Sequence, residues 1–156
     1  MQVRSATEAD AGRISRLILS LSGPFILSPD GAGAEPFLES ISEHAIRGYA
    51  SASNFLYLVA EDEGELAGVI ALRDNSHLYH LFVAQSHQGM GLGRSLWLLV
   101  KQAALRAGNG GRFTVNSSLN AVPVYERFGF IPIGPKVEKH GVAFMPMELV
   151  VGENGG

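Results

Sequence analysis

Apolar and polar positions along the chain change their period several times, and each change marks an element. Residues 2–5 predict a short first strand. Thr7-Glu8-Ala9-Asp10 resembles a capping box, and Ile14, Leu17, Ile18 and Leu21 follow at helical spacing. Ser22-Gly23-Pro24 stops this helix, and residues 24–36, which include Pro29-Asp30-Gly31-Ala32-Gly33, read as a loop. Residues 35–49 predict one continuous second helix with Phe37, Leu38, Ile41, Ala45 and Ile46 inward. Apolar runs at 55–60 and 66–73 predict an antiparallel pair about the turn Glu61-Asp62-Glu63-Gly64-Glu65. The acids of that turn lack metal-loop spacing and read as a solvated hairpin tip.

Residues 77–84 predict the next strand, and a glycine loop leads from it into a helix over 91–107. Leu96, Leu99, Val100 and Ala103 are the expected buried stripe of that helix, which Gly108-Asn109-Gly110-Gly111 ends. A strand at 112–116, a short helix at 118–128 and strands at 130–133 and 142–150 complete the order β-α-α-β-β-β-α-β-α-β-β. Residues 152–156 read as a frayed tail, which leaves a single mixed α/β domain over 1–151.

Composition narrows the function classes. An apolar share of 46% and a charged share of 17% suit a globular protein, and 156 residues suit one domain. A formal net charge of -3 supplies no basic field for nucleic acid, although it is compatible with a cationic substrate. The absence of cysteine excludes disulfides, thiolate metal sites and a cysteine nucleophile, and no metal site is expected. No run approaches the ~20 apolar residues of a membrane span, and the N-terminus has no secretory pattern, so a cytoplasmic protein is the expectation.

The candidate chemistry lies in Gln88-Gly89-Met90-Gly91-Leu92-Gly93-Arg94. A strand, three alternate glycines and a helix make a cradle for phosphate. The glycines allow close backbone approach, and the N–H groups of the first helical turn lack internal partners and face an anion. Arg94 adds a charged contact. A Walker loop is excluded because Gly93 is followed by Arg94-Ser95 rather than Lys-Ser/Thr. A dinucleotide fingerprint is excluded by Leu96 after Gly91-Leu92-Gly93 and by the neutral, glycine-rich region that follows.

Gln88-x-x-Gly91-x-Gly93 resembles the Gln/Arg-x-x-Gly-x-Gly/Ala signature of the GCN5-related N-acetyltransferase superfamily, placed as there between a strand and a long helix. A second block, from Asn116 through Tyr125-Glu126-Arg127-Phe128-Gly129-Phe130, resembles the family's Tyr-x-x-x-Gly-Phe segment. The resemblance covers almost the whole chain. It implies a mostly antiparallel, twisted sheet of about six or seven strands flanked by about four helices. It also implies acetyl-CoA-dependent acetylation of an amine, on a small molecule or on a protein or peptide, without metal, nucleic acid or membrane. Homodimers are frequent in the family.

On the same resemblance, backbone groups of Leu81, Phe82 and Val83 pair with the pantetheine arm. Amides of Gln88, Gly89, Met90, Gly91, Leu92, Gly93 and Arg94 hold the pyrophosphate, and Asn120, or else Ser118, touches the cofactor. Tyr125 matches the general acid that protonates the departing thiolate, since a phenol of pKa about 10 carries its proton at neutral pH. The carboxylate that several members carry on the strand before the loop is absent, and His80 in His77-Leu78-Tyr79-His80 is the candidate base. Glu61 and Asp74 at strand ends are further candidates. The departure keeps a second reading open, a non-catalytic acyl-CoA-binding sensor of the same fold. Residues 134–148 resemble a segment that shapes the acceptor side in one branch of the superfamily, and the loop at 24–36 is expected to form another wall.

Overall fold

The computed structural model describes residues 1–152, so all of the expected tail except Gly152 lies outside the described residues. Eight strands and five α-helices run in the order β1 (Gln2–Ser5), α1 (Ala11–Ser20), α2 (Glu35–Ser40), α3 (Glu43–Ser51), β2 (Phe55–Asp62), β3 (Glu65–Arg73), β4 (His77–Val83), α4 (Leu92–Arg106), β5 (Arg112–Ser117), α5 (Val122–Phe128), β6 (Ile131–Pro132), β7 (Val137–Lys139) and β8 (Val142–Val150). The sheet order is β1-β2-β3-β4-β5-β8-β6, with β7 on β8, and β4–β5 is its one parallel pair.

Two apolar layers sandwich this sheet. On one face Ile14, Ile18 and Ile46, from α1 and α3, pack on Tyr57, Val59, Val69 and Ala71. On the other, Leu96, Trp97 and Val100 of α4 pack with Tyr125, Phe130, Phe113 and Met147. β3 feeds both layers alternately, Val69 and Ala71 to the first and Ile70 and Leu72 to the second, which makes it a central strand. Gly68 lets α4 approach, because a Cβ there would stand 3.3 Å from Leu92 Cδ2 and 3.2 Å from the Phe82 carbonyl oxygen.

Three expectations are corrected. The single helix over 35–49 is two helices, because Ser42 takes an extended conformation and its hydroxyl accepts a hydrogen bond from Ala45 N at 3.1 Å. That is an N-cap, and it restarts the helix without disturbing the apolar period that the pattern follows. The buried stripe of α4 is Leu92, Leu96, Trp97, Val100 and Ala104, whereas Leu99 is 48% exposed. Tertiary packing chose the neighbouring stripe, which holds the bulkiest side chain. The hairpin tip is tighter and better paired than expected: β2 runs to Asp62, and Glu61 is bound by Arg4 and Arg13. Beyond these, residues 137–139 add a strand that had no expectation.

The same arginines anchor the first strand. Arg4 reaches Asp10 with two nitrogens at 2.8 Å each, and Arg13 adds a third contact at 3.0 Å. Asp10 also accepts from Thr7 N at 2.7 Å, the acid half of the expected capping box. The Arg4 guanidinium holds the Asp10 carboxyl well below the usual carboxylate range.

Candidate functional site

β4 and β5 pair only at His77↔Thr114 and Leu78↔Val115. Beyond that point no ladder joins them, so residues 79–83 offer an unpaired backbone edge on this side, and a cavity of about 790 Å³ fills the wedge. It is lined by Leu81, Phe82 and Val83 on β4, by Gln88, Gly89, Gly91, Leu92, Gly93 and Arg94 at the start of α4, and by Ser118, Asn120 and Tyr125 from the other side. The structure thus brings the expected cofactor residues to one wedge. Met90 is the exception: it is 64% exposed and lies outside the lining.

The loop has the conformation that its glycines allow. Gly89 and Gly91 take φ of +79° and +81°, where a side chain would be strained, and Gly91 is the N-cap of α4. Among the described residues, the N–H groups of 89–94 find no backbone acceptor, and all of these residues except Met90 line the cavity. Gln88 braces the loop instead of extending it, since its Nε2 donates to the Val83 carbonyl at 2.9 Å. Behind it, His87 Nε2 meets Asp62 Oδ2 at 2.8 Å and His87 Nδ1 meets Ser86 Oγ at 2.8 Å, which ties the loop to the β2–β3 hairpin. Arg94 and Arg127 bring positive charge to the lining, and among the described lining residues there is no Asp or Glu. A wedge with unpaired strand edge, free amides and two guanidiniums fits a long anionic cofactor with an amide-bearing arm.

Tyr125 comes from α5, packed edge-on against Phe128 and Phe130 with centroids 5.9 and 5.8 Å away. It is 7% exposed, and burial pushes its phenol well above the ordinary range. The group therefore holds its proton throughout the neutral range while still lining the cavity.

His80 lies elsewhere. A bulge opposite Ala71 and Leu72 inserts Tyr79, so Tyr79 and His80 both face the α1–α3 layer, with ring centroids 4.6 Å apart. His80 is buried, its Nδ1 is 2.8 Å from Tyr57 Oη, and desolvation pushes the imidazole down to about 3. It lines a smaller cavity of about 190 Å³ rather than the large one. Phe25 from the 24–36 loop and Val142 and Phe144 from β8 are walls of that smaller space, and Phe25 lines both. The two other base candidates are not in either lining. Glu61 is taken by its arginines, which hold it low, and Asp74 accepts from Asn54 Nδ2 at 3.2 Å. Arg127, Asn116 and His87 had no expected role. Arg127 lies inside the second motif block, whereas nothing local in the sequence signals the His87–Asp62 contact between residues 25 apart.

Among the described residues no helix is long and apolar enough to cross a membrane, and no three His, Cys, Asp or Glu gather as a metal site. No curated protein matches the chain. Solved structures do. An N-acetyltransferase from Rhodopseudomonas palustris is 22% identical with TM-score 0.76, over 96% of this chain and 94% of that one. The PaiA N-acetyltransferase of Thermoplasma acidophilum, in complex with coenzyme A, is 16% identical with TM-score 0.72, over 96% and 98%. An aminoglycoside 6'-N-acetyltransferase complexed with coenzyme A is 14% identical with TM-score 0.71, over 98% and 99%. The model of the acetyltransferase (GNAT) domain matches residues 26–151, and the chain belongs to the GNAT acetyltransferase family.

Proposed function

We propose that the protein is an acetyl-CoA-dependent N-acetyltransferase that transfers the acetyl group directly to a primary amine. The carrying observation is the wedge itself, where the unpaired edge of β4, residues 89 and 91–94 with amides that find no backbone acceptor, and a buried, protonated Tyr125 line one cavity. Bound acetyl-CoA supplies an activated acetyl thioester. Backbone groups of Leu81, Phe82 and Val83 hold its pantetheine arm, with one strand N–H at the carbonyl oxygen as negative charge develops there. Amides of the loop and the guanidinium of Arg94 hold the pyrophosphate, and Asn120 contacts the arm from the far wall. Tyr125 gives its proton to the sulfur as the C–S bond breaks, and solvent restores the phenol.

His80 is assigned to the acceptor side. As a base it needs its Nδ1–H donated to Tyr57 Oη, which leaves the Nε2 lone pair for the proton lost by the attacking nitrogen. An imidazole held down to about 3 accepts poorly from an alkylammonium, so the reading suits an amine that arrives neutral. That no Asp or Glu lines the wedge among the described residues also supports a second reading, an acyl-CoA-binding sensor without turnover.

Thermal unfolding with acetyl-CoA, ATP and NAD, followed by release of free CoA thiol with amines, tests both readings. Stabilisation by acetyl-CoA alone together with thiol release supports the transferase. Stabilisation with no thiol release from any amine supports the sensor, and stabilisation by ATP or NAD instead excludes both.

A further inference from the structure

The smaller cavity bears on which amine attacks, and the inference drawn from it rests on the acyl-transfer reading. The two cavities adjoin, because Phe25, Leu78, Tyr79, Phe82 and Asn116 line both. Aromatic walls enter the smaller one from separate segments: Phe25 after α1, Phe37 in α2, Tyr79 and Phe82 in β4 and Phe144 in β8. Its volume of about 190 Å³ compares with the ~150 Å³ cavity that takes up benzene, which leaves room for one ring with a short chain.

Charge decides the class of molecule. No Asp or Glu lines this cavity among the described residues, and its titratable members are His77, Tyr79 and His80. The nearest guanidinium, that of Arg73, lies 5.1 Å over the Tyr79 ring and 3.7 Å from Asp74, so this pair brings no net negative charge to the cavity. Glu39 and Asp74, which act on Tyr49 and His77 respectively, are exposed and outside the lining. Each ammonium carried into this cavity would lose water without gaining a carboxylate, at a cost of several kcal/mol. A polyamine or an aminoglycoside would incur that cost at more than one nitrogen, whereas a monoamine seats only its apolar part here and loses its one extra proton at the boundary with the open cavity. Cation–π attraction returns about 0.5–2 kcal/mol, and Arg73 already occupies the face of one of the rings. The same desolvation holds both histidines down, to about 4 at His77 and about 3 at His80.

We propose that the acceptor is a compact primary amine on an aromatic or apolar frame, seated in the smaller cavity, and not a polyamine or an aminoglycoside. The ring packs among Phe37, Phe82 and Phe144, and the amine nitrogen points toward the shared boundary at Tyr79 and Asn116. In the transfer an N–C bond forms, the C–S bond breaks, and the proton lost by nitrogen is balanced by the one gained by sulfur.

The test uses the full chain with acetyl-CoA and either phenethylamine, spermidine or kanamycin, scored by released thiol. A kcat/KM for phenethylamine at least tenfold above the other two is expected. Phe37→Ala, which touches only the smaller cavity, should raise the KM for phenethylamine about tenfold and leave thermal stabilisation by acetyl-CoA in place. Phe144→Leu serves as the second variant if Phe37→Ala does not fold. A preference for spermidine or kanamycin overturns the proposal, as does an unchanged KM in a folded variant. Failure to acetylate phenethylamine by a protein that releases thiol with another amine also overturns it. Absence of stabilisation by acetyl-CoA, or stabilisation with no thiol release from any amine, overturns the acyl-transfer reading itself, which separates the two failures.

Discussion

Tyr125 lines the wedge beside Ala121, Val124 and Phe128, and burial keeps it protonated at any physiological pH. A donor of this kind matters when a thiolate departs and little before. Tyr125→Phe keeps the ring that packs on Phe128 and Phe130 and removes only the hydroxyl. Its kcat should fall about 10²-fold, within the usual range for a positioned acid, with acetyl-CoA affinity by calorimetry nearly unchanged. Equal turnover in both proteins would remove Tyr125 from the chemistry. The motif marked this residue as a candidate from sequence, because Tyr125 and Phe130 keep a local spacing, and the fold puts it in the wall of the large cavity. His80 was legible as a candidate only. Its burial, its Tyr57 partner and its separation from the large cavity follow from a bulge that adds Tyr79 to one strand, and a run such as His77-Leu78-Tyr79-His80 does not announce a bulge.

At the scale of elements, the loop into α4 and the turn at Gly141 make a useful contrast. Gly91 has φ +81° and nothing within 4 Å of an added Cβ, so alanine there meets only the backbone penalty, about 1–2 kcal/mol. Distortion of the amide row should also weaken acetyl-CoA binding about tenfold, or ~1.4 kcal/mol. Gly141 has φ +73°, and a Cβ would lie 2.5 Å from Gly33 C and 2.6 Å from Ala34 N. It is where the loop after α1 rests on the β7–β8 turn, with Leu27 N donating to the Gly141 carbonyl at 2.9 Å. Gly141→Ala should therefore cost on the order of 3 kcal/mol or more by urea unfolding, well beyond Gly91→Ala. Both glycines look alike in the sequence, since the approach of residues 33–34 to 141 is a long-range fact. The α4 stripe makes the same point. Leu99 and Trp97 belong to adjacent stripes of similar period, and only the sheet beneath chooses between them.

For the whole molecule, enclosing imidazoles inside the fold ties stability to pH. Unfolded, both histidines titrate near 6.5; folded, burial lowers His77 to about 4 and His80 to about 3. Between those limits the unfolded chain binds more protons, so stability rises with pH there and is lost as pH falls from about 6.5. Asp10 contributes in the same direction only below about 4, the ordinary aspartate value, because its folded carboxyl is held lower still. Urea unfolding at pH 7 and pH 4.5 should show a clear loss in the parent chain and a smaller one in His80→Gln. Equal losses would mean that His80 is not kept neutral by the fold.

The devices that work over a few residues are the ones the sequence determined by itself. Alternating glycines after a strand make an anion cradle wherever they fold, a Tyr at the right distance from Gly-Phe makes a short helix with a phenol, and apolar periods distinguish strands from helices. Local chemistry is written in local order. The tertiary structure alone decided what lines the smaller cavity, the seat proposed for the acceptor. The smaller cavity draws on residues from Phe25 to Phe144, and its lack of a carboxylate comes from which side chains those distant segments bury together. A net charge of -3 is compatible with a cationic substrate, yet among the described residues no Asp or Glu lines either cavity. Composition counts charges over the whole chain, whereas a ligand meets only the few that packing leaves in its path.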